Sequence, residues 1–238
     1  MEQTSTQSKI AVSTPVAIII AGVIIAGAVL WSNGKGTSQP TAAATAPQQA
    51  QTADISKVKL ANEPFVGNAN APVTMAYWYD YQCPFCQRNE QTAMPQIVKE
   101  YVDTGKLKIV FKDYQFLGPD SQTLGKFSHA VWEAAPDKFY QWHKTIYDNQ
   151  GTENTGWATQ EKILSITKGV LDTDTTNKVA SLVKSKGDEY QKEMDADRAE
   201  GTALGINGTP GSIIGKQLIS GAVPYADFKA AIDTERPV

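Results

Sequence analysis

The stretch "VTMAYWYDYQCPFCQRN", Val73 to Asn89, carries both cysteines of the chain. Its first seven residues, Val73 to Tyr79, form an apolar, aromatic-rich run after Pro72 and read as a buried strand. From Pro84 to Thr104 the pattern turns helical, with Phe85, Ile97, Val98 and Tyr101 as inward positions. Pro95 should kink this helix and Gly105 should end it. Cys83 therefore stands just after a strand and at the start of a helix. At such a point the first N–H groups have no intrahelical partner, and the peptide dipoles leave partial positive charge. A thiolate is stabilised there, so a cysteine pKa near 8.5 falls to about 3.5–7.5 in a C-x-x-C pair of this kind. Pro84 sacrifices no hydrogen bond at the first helical position, and its fixed φ helps start the helix. Cys86 lies one turn deeper. The pair reads as an exposed attacking sulfur at Cys83 and a buried resolving sulfur at Cys86.

Two other uses of the pair fit less well. A bridge between residues 83 and 86 closes too short a loop to stabilise the fold much. A zinc site needs about four ligands, and the chain's two histidines, His129 and His143, lie far away in sequence. They read as surface helix positions.

Working outward, "LKIVFKDY", Leu107 to Tyr114, reads as a second strand, which with the first and the helix between them suggests a right-handed βαβ unit. Between Ser121 and Gly205 no strand is visible. Helices are expected over 122–134, 137–149, 159–168, 173–184 and 186–204, with Asp137 and Thr173 as N-caps. The aromatic residues Trp132, Phe139, Tyr140, Trp142 and Tyr147 in this block read as core, and some of them as the rim of a substrate groove. The acidic run from Asp188 to Glu200 reads as a solvated helix face. Strand chemistry resumes over Gly211 to Ala222 as a hairpin turning near Gly215 and Lys216, and a last helix spans Pro224 to Thr234. The order implies an α/β domain over 55–238 with a helical insertion at about 121–205. Just before the hairpin stand Thr209 and Pro210. With a cis bond between them, the Thr209 backbone would be free to take an extended substrate peptide as an added strand; with a trans bond they form an ordinary turn.

The N-terminal part has a different character. Residues 1–9 are a short tail, and Ile10 to Trp31 contains no charge. As a helix those residues span roughly 33 Å, enough for a hydrocarbon core of about 30 Å. They read as a single transmembrane anchor, with a cleaved signal peptide as the alternative. Either sends the remainder out of the cytoplasm. Residues 32–54 are rich in Gly, Ser, Thr, Ala, Pro and Gln and read as a flexible linker, with a root-mean-square reach of roughly 25 Å. The net charge of −3 over 238 residues gives no basic excess for nucleic acid.

Together "DYQCPFC", the helix through Pro95, "VFKDY", the helical insertion, and "GTP" followed by "LISGAVPYADFKAAI" resemble the DsbA-like thiol-disulfide oxidoreductases of the thioredoxin superfamily, over about residues 58–238. The resemblance implies a thioredoxin fold with a helical insertion, and a cis Pro210 that packs with Thr209 against the Cys83–Cys86 pair and helps to bind unfolded chains. It also marks departures. Phe85 stands where the best-known members have histidine, which implies a weaker oxidant. Tyr77, six positions before Cys83, stands where they carry a buried acid, which leaves the proton route to Cys86 unassigned. Asp80 nearby reads as a capping or turn residue. Thr209 replaces the valine of some oxidases and is shared with relatives assigned to isomerisation. The expected activity is a membrane-tethered thiol-disulfide oxidoreductase that puts disulfides into exported proteins bearing cysteine thiols. It needs no cofactor and is reset by a membrane redox partner. The rivals are a reductase or isomerase, and a metal- or peptide-binding module without enzymatic activity.

Overall fold

The computed structural model describes residues 51–236. The tail, the apolar segment 10–31 and linker residues 32–50 lie outside them. Among the described residues no helix is long and apolar enough to cross a membrane.

Six strands form one sheet in the order β1-β6-β5-β3-β4-β2. They are β1 (Gln51–Thr52), β2 (Phe65–Val66), β3 (Val73–Tyr79), β4 (Leu107–Asp113), β5 (Gly211–Ile214) and β6 (Gln217–Ser220). β3 and β4 run parallel over seven paired positions, from Val73↔Leu107 to Tyr79↔Asp113, while β5 and β6 continue antiparallel on the other side of β3. The helices are α1 (Pro84–Ile97), α2 (Pro119–Ala134), α3 (Phe139–Asp148), α4 (Gln160–Lys168), α5 (Thr173–Ala203) and α6 (Tyr225–Glu235). α1 and α6 belong to the strand-bearing part and pack on each other. α2 to α5 form the insertion between β4 and β5, with α2 lying along α5.

β3 is central, and this explains its composition. Met75, Tyr77 and Tyr79 face the larger core, which holds Phe111, Phe139, Trp142 and Tyr147, while Ala76 and Trp78 face a smaller one with Ile206, Ile213 and Leu218. A strand buried on both faces needs a continuous apolar run rather than alternation. Trp78 donates its indole N–H to the Asp197 carbonyl of α5 at 3.0 Å. A Cβ on Gly201 would lie 2.6 Å from that indole nitrogen, so close approach of α5 requires glycine there.

Several expectations need correction. The folded part includes residues before Ile55: β1 pairs with β6, and Ala53 and Ile55 donate to the Lys216 and Gly215 carbonyls. The two helices expected over 173–184 and 186–204 are one, because no proline or cap separates them. Its N-cap is Asp172, which accepts from the Thr175 N–H at 2.8 Å, and not Thr173. Asp137 sits within a 3-10 turn, Pro136–Lys138, and caps nothing. After Pro95 the helix widens into a π turn over Val98–Val102. The run 188–200 is not wholly solvated, since Tyr190, Met194 and Asp197 are buried against α2 and β4. His129 and His143 are buried rather than surface residues. Of the aromatic block, Phe139, Trp142 and Tyr147 are core, and Trp132 and Tyr140 are half-buried.

Candidate active site

Cys83 is the N-cap of α1, Pro84 is its first helical residue, and the Gln87 N–H donates to the Cys83 carbonyl at 3.1 Å. The loop that delivers the cysteine is fixed from three directions. Asp80, wholly buried, accepts from the Gln82, Phe116 and Leu117 N–H groups at 2.8–3.0 Å and from Ser121 Oγ at 2.6 Å. Burial pushes its carboxyl above the ordinary aspartate value, and those four donors pull the other way. The reading of Asp80 as a turn residue therefore holds, with the addition that it ties the cysteine loop to the start of α2. From α3, Tyr147 donates its hydroxyl to the Asp80 carbonyl at 3.1 Å. Gln150 donates to the Tyr81 and Cys83 carbonyls at 2.7 and 3.2 Å. The insertion thus braces the loop. No sequence signal marked Tyr147 or Gln150 for this task, because their partners lie more than sixty residues away.

Both cysteines are free thiols, with Cys83 4% and Cys86 0% exposed. Cys83 was expected to be exposed; only an edge of it reaches solvent. Phe85, expected to face inward, is 54% exposed, since residues 83 and 86 take the inward side of the first turn. Arg88 lies over its ring at 5.1 Å.

The two sulfurs differ electrostatically. The Cys83 thiol is pushed down to about 6, chiefly by a hydrogen bond from the Cys86 thiol, with further help from the Thr209 side chain and the Cys86 and Phe85 N–H groups against the opposing cost of burial. Burial pushes Cys86 up, and an ionised Cys83 beside it adds to the effect. The protein thus provides one thiolate and one thiol. Thr209 and Pro210, far away in sequence, complete the arrangement. Their peptide bond is cis, and Cys83 Sγ donates to the Thr209 carbonyl at 3.2 Å. Thr209 Oγ1 is buried without a hydrogen-bond partner. The β5–β6 ladder begins only at Gly211↔Ser220, so the Thr209 backbone lies outside it. A cleft of about 210 Å³ lined by Ile206, Asn207, Gly208, Thr209 and Pro210 opens beside it.

Alkylation measures this asymmetry directly. With iodoacetamide, the full chain should label at Cys83 with a midpoint near pH 6, while Cys86 stays silent. A midpoint at pH 8 or above would contradict the stabilised thiolate. Stability is linked in the same sense. A thiol whose folded pKa lies below its unfolded value contributes fully above that unfolded value, here 9.0, and loses the contribution as pH falls to about 6. Between those limits the reduced form should gain on the oxidised form with rising pH, by at most about 1.4 kcal/mol per unit.

A strand–helix–strand core with a cis-proline beside a C-x-x-C pair at a helix start, interrupted by a helical insertion, defines a DsbA-like thiol-disulfide oxidoreductase. The family model described as "Thioredoxin" matches residues 59–234, and the chain belongs to that family. It is 29% identical over 170 residues to a "Probable disulfide bond formation protein D" of Bacillus cereus, covering 71% of this chain and 77% of that one. Its fold matches the oxidised BdbD crystal structure from Bacillus subtilis with a TM-score of 0.66 at 24% identity, over 78% of this chain and 96% of the other. It also matches the thiol-disulfide exchange protein alpha-DsbA2 of Wolbachia pipientis with a TM-score of 0.62 at 27% identity, over 72% and 86% of the two chains.

Proposed function

We propose that this chain is a membrane-tethered, extracytoplasmic oxidase that introduces disulfides into exported proteins through Cys83 and Cys86. The observation that carries this reading is the Cys83 sulfur: it sits at a helix start beside the Cys86 thiol, with its pKa lowered to about 6 chiefly by that thiol's hydrogen bond. A thiolate that stable favours the reduced form of the pair, and a pair that favours reduction oxidises others. The similarity to a probable disulfide bond formation protein of Bacillus cereus supports the same direction. The apolar segment 10–31 supports the tether and the extracytoplasmic placement.

In the oxidised enzyme Cys83 and Cys86 form a disulfide. A substrate thiolate attacks Cys83 Sγ, the Cys83–Cys86 bond breaks, and Cys86 leaves with the electron pair and takes a proton. A second substrate thiolate then attacks the substrate sulfur of the mixed disulfide. Cys83 leaves as its stabilised thiolate, and the substrate holds the new bond. The Thr209 backbone and the cleft beside Pro210 hold the substrate in extended form, with Phe85 offering an apolar contact at the rim. A membrane redox partner then reoxidises the pair.

The reduction potential tests the direction. A pair with a Cys83 pKa near 6 belongs between the strong oxidant near −120 mV and the reductant near −270 mV, so the full chain is expected on the oxidising side of about −230 mV. A value near −270 mV would turn the reading to a reductase or isomerase. That rival draws on Phe85, whose side chain supplies the sulfur with no polar partner.

A further inference from the structure

Among the described residues two large apolar side chains are exposed, Phe85 at 54% and Phe116 at 39%. A lone ring on a surface needs no explanation, but these two share a setting. Each has a guanidinium over its face. Arg88 lies 5.1 Å from the Phe85 ring, and Arg198 lies 5.9 Å from Phe116 and 5.7 Å from the neighbouring Tyr114. Only three of the chain's 22 basic residues are arginine, and the third, Arg236, pairs with Asp233 at 3.2 Å. Lysine supplies the remaining positive charge, so charge alone does not call for arginine at 88 and 198. Lys108 and Lys229 also lie over rings, but over the partly buried Phe65 and the buried Tyr101. What lysine lacks is the planar head that stacks on a ring and keeps its in-plane N–H donors free.

The sheet order places the two ring–guanidinium units on either side of the reactive cysteine. At the end of the sheet that carries the site, the order across is β6, β5, β3, β4. Arg88 donates to the Ala222 carbonyl, just past the end of β6, at 3.0 Å. Pro210 precedes β5, and Cys83 follows β3. Phe116 follows β4, and its N–H donates to Asp80 Oδ2 at 2.8 Å. One arginine is therefore anchored beyond the cis-proline and the other beyond the cysteine. Tyr114 ties the second unit to the cis-proline loop, since its hydroxyl donates to the Ile206 carbonyl at 3.2 Å. Neither guanidinium has an ion-pair partner among the described residues, and both arginines are exposed. Arg198 shares a groove of about 530 Å³ on α5 with the small side chains of Ala199, Thr202 and Ala203. Asp195 lies in the same groove, but its Oδ1 accepts from Gln191 at 3.1 Å and not from Arg198. Arg88 uses one of its five N–H donors on Ala222. Both heads thus keep donors for a carboxylate that the chain itself does not supply.

We propose that Arg88 and Arg198, each on its aromatic platform, select cysteines flanked by carboxylates in exported polypeptides. The inference rests on the exchange reading above and names the substrate class of that site. A substrate cysteine that reaches Cys83 Sγ lies between the two units. Chain on one side of it passes Phe85 and Arg88, and chain on the other passes Phe116 and Arg198. Each unit takes an acidic side chain at the guanidinium edge, while the exposed ring takes apolar atoms beside it. Acidic neighbours by themselves make a thiol less reactive, because they disfavour its ionised form. The two arginines offset that charge at the place where the thiolate must attack. Basic neighbours meet the same two cations and are disfavoured. A membrane surface of anionic lipid suits the pair less well. The cleft beside Pro210 lies between the two cations and fits a chain, and a net charge of −3 opposes a negative surface.

Peptides of equal length test the selection on the oxidised full chain in detergent. Each holds two cysteines, and they differ only in the flanking residues, which are aspartate, serine or lysine. Quenched-flow mass analysis follows the oxidation of each peptide to its internal disulfide as the Cys83–Cys86 bond is reduced. Each rate is divided by the same peptide's rate with uncharged bis(2-hydroxyethyl) disulfide, which cancels the effect of the flanks on the peptide thiols. The aspartate peptide should then exceed the lysine peptide by about tenfold at low salt, roughly threefold per arginine, which lies within the range of exposed ion pairs. Added salt at about 0.5 M should shrink that ratio to about twofold. Arg88→Gln and Arg198→Gln should each lower the ratio by about threefold, and the double variant should bring it close to one. Arg198→Lys keeps the charge without the stacked plane and should keep part of the ratio. A merely structural effect would change the rates of all three peptides together and leave the ratio alone. A ratio of one in the wild-type chain, or a ratio unchanged in the double variant, overturns the selection and leaves the exchange reading intact. So does a ratio of one together with arginine-dependent binding to vesicles of anionic lipid, which would assign the two cations to the membrane. Failure to oxidise any of the peptides overturns the exchange reading, and the substrate class with it.

Discussion

Cys83→Ser should abolish disulfide exchange to the uncatalysed level, whereas Cys86→Ala should form mixed disulfides with its substrates and fail to release them. The two sulfurs are three residues apart, and the fold gives them opposite properties. Cys83 sits at the free N–H groups of α1 and is pushed down to about 6; Cys86 is buried and pushed up. Every exchange passes through a bond to Cys83, so without it nothing enters the pathway. Without Cys86 there is no internal disulfide for a substrate to attack, but the Cys83 thiolate still enters in the reverse direction by attacking a disulfide of an exported protein, and the internal sulfur that would expel that protein is gone. Alanine is the better replacement at 86, because a serine hydroxyl there would be buried without an assured partner, at about 1–3 kcal/mol. A second effect accompanies the first. The hydrogen bond from the Cys86 thiol is the main cause of the Cys83 shift, so in Cys86→Ala the Cys83 alkylation midpoint should move upward from about 6. Non-reducing gels of the full chain expressed with exported proteins, together with mass analysis, read the trapped species. Equal trapping by both variants, or none by Cys86→Ala, would count against the assigned roles.

Lys112→Met should cost the fold about 3–5 kcal/mol in urea unfolding, the range for removing one partner of a buried ion pair. Lys112 lies in β4 and is wholly buried. Its ammonium reaches Glu63 at 2.9 Å, Asp197 at 2.5 Å, Glu200 at 3.2 Å and the Lys59 carbonyl at 3.1 Å. Three carboxylates, two of them buried, therefore share one cation. Burial raises the Asp197 carboxyl, Glu63 adds to the rise, and Lys112 opposes it. Methionine fills the space and takes the cation from Asp197 and Glu200, leaving Glu63 with only the exposed Lys59, 3.4 Å away. For a carboxyl whose folded pKa lies above its unfolded value, the folded state is penalised as pH rises through the window between them. The loss in Lys112→Met should accordingly be larger at pH 8 than at pH 5, and Lys112→Met with Asp197→Asn should recover part of it. The contact matters for position as well as stability. Asp197 Oδ2 accepts from the Asp113 N–H at 3.0 Å and its carbonyl holds Trp78, so the same residue fastens α5 to the ends of β4 and β3 that carry the site. A loss below about 1 kcal/mol would mean that the carboxylates find other partners.

Wherever the deciding physics is local, the chain is legible without its fold. Val73 to Tyr79 reads as a strand because six of its seven residues are apolar and are buried on two faces, and the structure gives the same bounds. The hairpin turn falls at Gly215, whose φ of 56° few other residues adopt without cost. Pro84 starts the helix because its ring fixes φ and its missing N–H is not needed there. From these follows the placement of Cys83 at a helix start, and with it the direction of its pKa shift.

Most misreadings of burial fall where a residue's setting is decided by chain far away. His129, read as a surface residue, is buried between Asp113 and Glu193, sixteen and sixty-four residues distant, and is held protonated by them, with its pKa raised to about 10 against the cost of burial. His143 is enclosed by rings from β3, β4 and α3. Phe85 turned outward because the first turn of α1 has one inward side and the cysteines take it. Glu90 gave no sign of burial, since an acidic residue on a helix is ordinarily solvated. Periodicity, caps and the helix dipole act within a turn or two, so the sequence by itself determined the elements, their order and the reactive end of the pair. Burial of a polar group depends on partners brought in from fifty to a hundred residues away. Which ion holds α5 to the sheet was therefore decided only when the chain folded.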